Sequence, residues 1–212
     1  MAMRVVVDNG PLDFARGRPA RKRKTAAGRR AKTAATISLR AATPADAPAL
    51  HALIASHLEE GRLLPRQLDE LTVHAPRFVV AVETSPAGER VVGCAELAPL
   101  SPSVAEVRSL VVDTDVRRLG LGEQMVEALA TRARRQEYAK LCAFAHEPAF
   151  FVRRGFSIVP HTWVPEKIAH DCNTCALFRN CGQYAIVLDL DRAVMPTQIR
   201  ASANKRRSPV HV

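Results

Sequence analysis

Val111-Val112-Asp113-Thr114-Asp115-Val116-Arg117-Arg118-Leu119-Gly120-Leu121-Gly122 is the stretch that decides the fold. An apolar strand runs into a short polar turn, and two glycines then open a helix. The helix is predicted over 120–136, with Leu121, Met125, Val126, Leu129 and Ala133 on one face, the 3.6-residue period of an amphipathic helix. Glycines at such a junction let backbone N–H groups approach a ligand closely. The helix N-terminus adds unpaired donors and a partial positive charge. The segment therefore reads as a cradle for phosphate or pyrophosphate. It lacks the Gly-Lys-Ser/Thr of a Walker A loop, and Gly120-Leu121-Gly122 lacks the third glycine of a dinucleotide fingerprint.

The strand feeding this turn is Val104–Val112. Before it, 77–83 is a β-branched strand, and 91–100 returns as its hairpin partner across the turn at 85–89. Residues 36–42 alternate and are predicted as a strand. Thr43 suits an N-cap and Pro44 a first turn, so a helix is predicted from there to Glu60, with Ala47, Leu50, Leu53, Ile54 and Leu58 inward and Gly61 as its stop. A second helix is predicted from Pro65 through Leu68 and Leu71. Downstream come a strand at 140–145, a short helix at 146–154 ended by Gly155, a strand at 156–160, an irregular stretch at 161–182 and a last strand at 183–190. A three-strand antiparallel meander followed by a β-α-β-α-β half predicts an α/β (α+β) fold. Its mixed, mostly antiparallel central sheet carries helices on both faces.

A chain of 212 residues, 47% of them hydrophobic, can bury one substantial core. No run of about 18 apolar residues is present, so no membrane span is expected. The N-terminus carries charge early but no apolar h-region, so no secretory signal is expected and the protein is read as cytoplasmic. The net charge of +10 is unevenly placed. Residues 1–36 hold 10 Lys/Arg against 2 Asp/Glu, residues 191–212 hold 5 against 1, and residues 37–190 hold 16 against 18. A basic folded surface for nucleic acid is thereby excluded. Residues 1–35 read as a basic disordered tail, 36–190 as the folded domain and 191–212 as a basic C-terminal tail. The first tail is either simply solvated or a tether to nucleic acid or another anionic surface.

The residues around the opening stretch resemble the GNAT acetyltransferase superfamily. Its Arg/Gln-x-x-Gly-x-Gly/Ala signature is matched by Arg117, Gly120 and Gly122, and Phe150-Phe151-Val152-Arg153-Arg154-Gly155-Phe156 is similar to its aromatic-x-x-x-Gly-Phe segment. The resemblance implies a GNAT-like sheet over 36–190, binding of acetyl-CoA and transfer of acetyl to an amine. It further implies that the loop of Arg117, Arg118, Leu119, Gly120, Leu121 and Gly122 holds the pyrophosphate. Leu110, Val111 and Val112 would hold the pantetheine arm, with Phe151 also at the cofactor. A narrower likeness to short, stand-alone amino-acid N-acetyltransferases, and to the acetyltransferase domain of N-acetylglutamate synthase, rests on 61–66, 92–97, 105–110, 164–168 and Asp171-Cys172-x-x-Cys175.

An acetyl transfer needs a neutral amine, a place for its proton and stabilisation of the oxyanion. Glu106, on the strand before the loop, is the base candidate, directly or through water; otherwise it is a strand carboxylate paired with Arg108. The two share a strand face, being two residues apart. Arg108, Lys167 and Arg66 are the candidates for binding the acceptor's carboxylates, which arginine grips in bidentate fashion. L-glutamate is the expected acceptor, as in the first step of arginine biosynthesis, with glutamine, another small amine or a protein amine as the alternatives. A non-catalytic acyl-CoA-binding domain with a nucleic-acid-contacting tail is the remaining reading. No hydroxyl acid stands where such folds carry one: the positions are Phe150, Phe151 and Glu147, leaving His146, Glu147 or solvent. Cys94 and Cys142 read as core thiols, while Cys172, Cys175 and Cys181 have metal-like spacing. They are either packing thiols or, with His170 or His161, ligands of a structural Zn. A homodimer is compatible with the sequence.

Overall fold

The structure, a computed structural model, describes residues 3–6, 36–60, 63–175 and 178–190. The expected basic tails therefore lie outside the described residues, except for one element. Met3–Val6 is a strand, β1, that pairs antiparallel with β2 (Thr36–Ala41) at the edge of the sheet. β3 (Phe78–Ser85), β4 (Gly88–Pro99) and β5 (Val104–Val112) continue it as the antiparallel meander. β6 (Lys140–Ala145) pairs parallel with β5, β8 (Tyr184–Asp189) antiparallel with β6, and β7 (Ser157–Val159) with β8. The order is β1-β2-β3-β4-β5-β6-β8-β7. The mixed, mostly antiparallel sheet expected from the strand pattern is present.

Each face of the sheet carries its own core. α3 (Leu121–Arg135) lays Leu121, Met125, Val126, Leu129 and Ala133 against Val79, Ala81, Val92, Ala95, Ala105 and Val107. On the other face α1 (Ala47–Ala55) and α2 (Leu68–His74) bury Leu50, Ile54 and Leu71 against Phe78, Val80, Val82 and Val111. α1 ends at Ala55, short of the expected Glu60, because Ser56 Oγ donates to the Leu53 carbonyl and competes with the helical ladder. The stretch expected to be irregular contains α5 (Pro165–His170), a helix opened by Pro165. α4 (Ala149–Val152) is the short helix before Gly155.

α3 crosses β4 at Gly93, and the crossing is close. A Cβ there would lie 3.1 Å from Met125 Cε, 3.3 Å from Ala81 Cβ and 3.3 Å from the Val111 carbonyl oxygen. Gly93→Val is therefore expected to destabilise the protein by about 1–3 kcal/mol through overpacking. Chemical denaturation would show it as a lower midpoint.

Two irregularities in β5 build the functional region. Ser109 has φ 48°, and its β4 partners skip between Cys94 and Glu96. The extra residue reverses the alternation. Ala105 and Val107 face α3 before the bulge, and Leu110 and Val112 face it afterwards. The β5–β6 pairing runs from Val104 with Lys140 to Val107 with Ala143. Beyond that point both strands line a cleft.

Candidate active site

The cleft has a volume of about 1300 Å³. One end is formed by the loop entering α3. Arg117 Nε donates to the Val112 carbonyl oxygen at 3.1 Å, folding the arginine back along β5. Arg118 has φ 71° and Gly120 φ 74°, so the chain passes through the left-handed region twice before α3 begins. Glycine carries that conformation at Gly120 without the penalty of a Cβ. A 15-residue helix thus points its N-terminus, with its unpaired N–H groups, into the cleft. Arg117, Arg118, Gly120, Leu121 and Gly122 line it, as do Leu110, Val111 and Val112. Leu119 does not; its side chain packs against the α3 core, because the two left-handed residues on either side turn it inward.

Phe150 and Phe151 form the adjoining wall. Their rings meet edge to face at 5.0 Å, and Phe151 meets Phe156 likewise at 5.3 Å. The Arg154 guanidinium lies 3.8 Å over the Phe150 ring and pairs with Glu123 of α3. Phe151 is a buried wall residue, which suits an apolar cofactor arm rather than proton transfer.

At the other end the cleft holds two ion-pair networks. Glu106 is only 3% exposed. Lys167 Nζ donates to its Oε1 at 2.8 Å and its Oε2 at 3.0 Å, and Arg108 Nε to its Oε2 at 2.5 Å. Lys167 also donates to Asp171 Oδ2 at 2.8 Å, and Arg108 Nη2 pairs with that same oxygen. The Lys167 ammonium lies 5.2 Å from the centre of the Phe144 ring. Burial opposes charge on Arg108, but Glu106 and Asp171 outweigh it and raise the guanidinium pKa. Burial likewise opposes charge on Asp171, yet Lys167, His170 and Arg108 hold its carboxyl below the usual range. Glu106 and Arg108 are paired, because the shared strand face puts them within contact.

The second network centres on Glu96, 1% exposed. Arg66 Nη1 donates to Glu96 Oε2 at 2.8 Å and to Ser109 Oγ at 3.0 Å, while its Nε donates to Glu70 Oε1 at 3.0 Å. Arg66, a candidate for binding the acceptor's carboxylates, is anchored by two carboxylates at the edge of the cleft. Glu96 and Arg108 are register partners on β4 and β5, so the two networks sit side by side on one face of the sheet. Glu96 and Asp171 were missed in the sequence. Glu96 stands inside the apolar run 92–97, where a lone carboxylate is a signal of buried pairing. Asp171 follows Lys167 by four residues, a helical ion-pair spacing that is legible only once α5 is recognised.

Cys172, Cys175 and Cys181 all line the cleft, but among the described residues no group of three or more His, Cys, Asp or Glu is arranged to hold a metal. The expected Zn ligand set is not assembled. Of the fourth-ligand candidates, His170 directs Nδ1 to Asp171 Oδ1 at 2.8 Å, while His161 packs on Phe144 with ring centroids 5.6 Å apart and keeps a buried Nε2 without a hydrogen-bond partner. Burial raises the pKa of the Cys172 thiol. Cys94 and Cys142 are buried thiols, Cys94 pushed up to about 12 by burial. His146 and Glu147 line the cleft beside Phe150.

The cleft thus has a helix N-terminus at one end, buried carboxylates and cations at the other, and a diverging strand pair between them. The profile of the acetyltransferase (GNAT) family matches residues 46–156. The chain belongs to the GNAT acetyltransferase family. This GNAT protein is similar to an uncharacterized N-acetyltransferase of Chlorobaculum tepidum, 29% identical over 157 residues that cover 74% of this chain and 99% of the relative. It is also similar to an amino-acid acetyltransferase of Mycobacterium tuberculosis, 29% identical over 130 residues, 61% of this chain and 74% of the relative. Among solved structures it resembles N-acetylglutamate synthase from Neisseria gonorrhoeae, which was complexed with coenzyme A and N-acetyl-glutamate. The TM-score is 0.63 at 25% identity, over 74% of this chain and 35% of that one. The GNAT chain is an N-acetyltransferase by family, and among its described residues no helix is long and apolar enough to cross a membrane.

Proposed function

We propose that the protein transfers acetyl from acetyl-CoA to the α-amino group of an amino acid, with L-glutamate as the acceptor, the first step of arginine biosynthesis. The carrying observation is that Arg66, Arg108 and Lys167 converge with buried Glu106 in the same cleft that receives the α3 N-terminus. The likeness to an amino-acid acetyltransferase, and to a synthase complexed with coenzyme A and N-acetyl-glutamate, supports it. The catalytic unit is assigned to 36–190.

The cofactor end fits its ligand. The left-handed turn at Arg118 and Gly120 presents helix N–H groups to a pyrophosphate, and the Leu110–Val112 backbone, released from β6, lines the path of the pantetheine arm. Acetyl-CoA supplies an activated thioester carbonyl. The chain's own part is to seat the amine beside it and to take the amine's proton. Glu106, held in place by Lys167 and Arg108, is the carboxylate for that proton, directly or through one water. The cations are assigned to the acceptor's carboxylates.

Thiol release from acetyl-CoA, measured against a panel of amino acids, tests this. Glutamate is expected to give the highest kcat/KM. If no amino acid raises CoA release above background, the amino-acid reading is wrong; if glutamine outperforms glutamate, the acceptor assignment is wrong.

A further inference from the structure

We infer that Asp171 is a displaceable stand-in for the acceptor's carboxylate, a specificity-setting residue that occupies the anion position on Arg108 and Lys167. The inference rests on those two cations being the acceptor's clamp.

The donor count carries it. An ammonium has three N–H donors. Lys167 directs its contacts to Glu106 Oε1, Glu106 Oε2 and Asp171 Oδ2, so its capacity is full. An incoming carboxylate must therefore replace one of its partners. Glu106 is the poor candidate: its side chain is 4% exposed, it sits mid-strand, and both its oxygens are held by Lys167. Asp171 has a side chain 31% exposed and follows the last residue of the six-residue α5. It can swing to solvent without breaking the sheet.

Charge balance points the same way. Glu106 and Asp171 neutralise Arg108 and Lys167, so the quartet is neutral as it stands. A carboxylate added beside it would leave an uncompensated negative charge in a half-buried site, which is costly. One that replaces Asp171 keeps the balance. Asp171 thus lowers the affinity of the clamp for every carboxylate, and only an acceptor able to set one carboxylate oxygen between Arg108 and Lys167, as Asp171 Oδ2 is set, displaces it readily.

The test uses glutarate, which carries two carboxylates and no amine, with calorimetry on the full chain. Asp171→Asn is expected to bind glutarate about tenfold more tightly than the wild type, the size of the two partly exposed ion pairs that Asp171 makes with Arg108 and Lys167. Asp171→Ser should shift in the same direction, and Asp171→Glu should return to wild-type affinity. Unchanged or weaker glutarate binding in both neutral variants overturns the inference, as does the absence of glutarate binding in all of them. Because glutarate is not acetylated, this outcome is separate from the acceptor panel: a protein that acetylates no amino acid can still show the shift.

Discussion

Glu106→Gln is expected to lower kcat by about 10²- to 10⁴-fold, the usual contribution of a positioned general base. The substitution keeps the side-chain volume and one acceptor oxygen, so Lys167 and Arg108 retain a partner, and Asp171 still bridges both cations. Coenzyme A binding should persist. Glu106 lies six positions before Val112 on β5, which at ~3.3 Å per residue sets it roughly 20 Å from the α3 loop. A structural role and a proton-accepting role separate by pH. If Glu106 takes the amine's proton, raising the pH from about 7 to about 10 supplies free amine without it, and the wild-type to variant ratio in kcat narrows. A ratio that stays constant over that range, with a lowered melting temperature, would assign Glu106 to the framework alone.

How far the sequence reaches is clearest on β5. Its bounds, and those of β6, were legible because both are short apolar runs closed by turn residues. The amphipathic face of α3 was legible for the same kind of reason: its buried residues recur at helical spacing. The shared face of Glu106 and Arg108 follows from period-two alternation and survives because the Ser109 bulge lies beyond them. The bulge itself has no such signal. Ser109 is an ordinary strand residue by composition, and its positive φ is imposed by the β4 register. α5 escaped notice because it is short and buries little; Val164, just before it, is its buried anchor.

The acceptor end shows why site chemistry is harder to read than fold. Arg66, Arg108 and Lys167 could be picked out as cations near a cleft, but Arg66 and Arg108 also take partners from other elements. Glu96 reaches Arg66 from β4, Glu70 from α2, and Asp171 reaches Lys167 and Arg108 from the end of α5. Which carboxylate neutralises which cation is a property of register and helix placement, and one sequence read along its length does not contain it. The consequence is functional. These cations are not spare charges waiting for a substrate; each is balanced, and acceptor binding is an exchange of carboxylates.

Arg66→Met carries the largest expected loss of stability. Glu96 has a side chain 1% exposed, and Arg66, itself 11% exposed, donates to it at 2.8 Å. Its next contacts are longer: the His74 ring at 3.8 Å and the Arg77 guanidinium at 3.9 Å. Removing Arg66 strands a buried carboxylate, a change that costs roughly 3–5 kcal/mol. At about 2–4 °C per kcal/mol for a chain of this length, the melting temperature should fall on the order of 10 °C. The double variant Arg66→Met/Glu96→Gln removes both charges, and most of the loss should return, since the penalty comes from the unpaired charge rather than from a missing attraction. The acid limb moves as well. Burial pushes the Glu70 carboxyl up, but Arg66 outweighs it and holds the pKa below the ordinary value. That contribution to stability is present above the ordinary carboxylate range and is lost as the pH falls through the lowered value; in Arg66→Met it disappears. An unchanged melting temperature would show that Arg66 is not the charge that holds Glu96, with Arg77 at 3.9 Å left to compensate it; a raised acceptor KM beside the stability loss is the outcome expected if Arg66 also binds the acceptor's carboxylate.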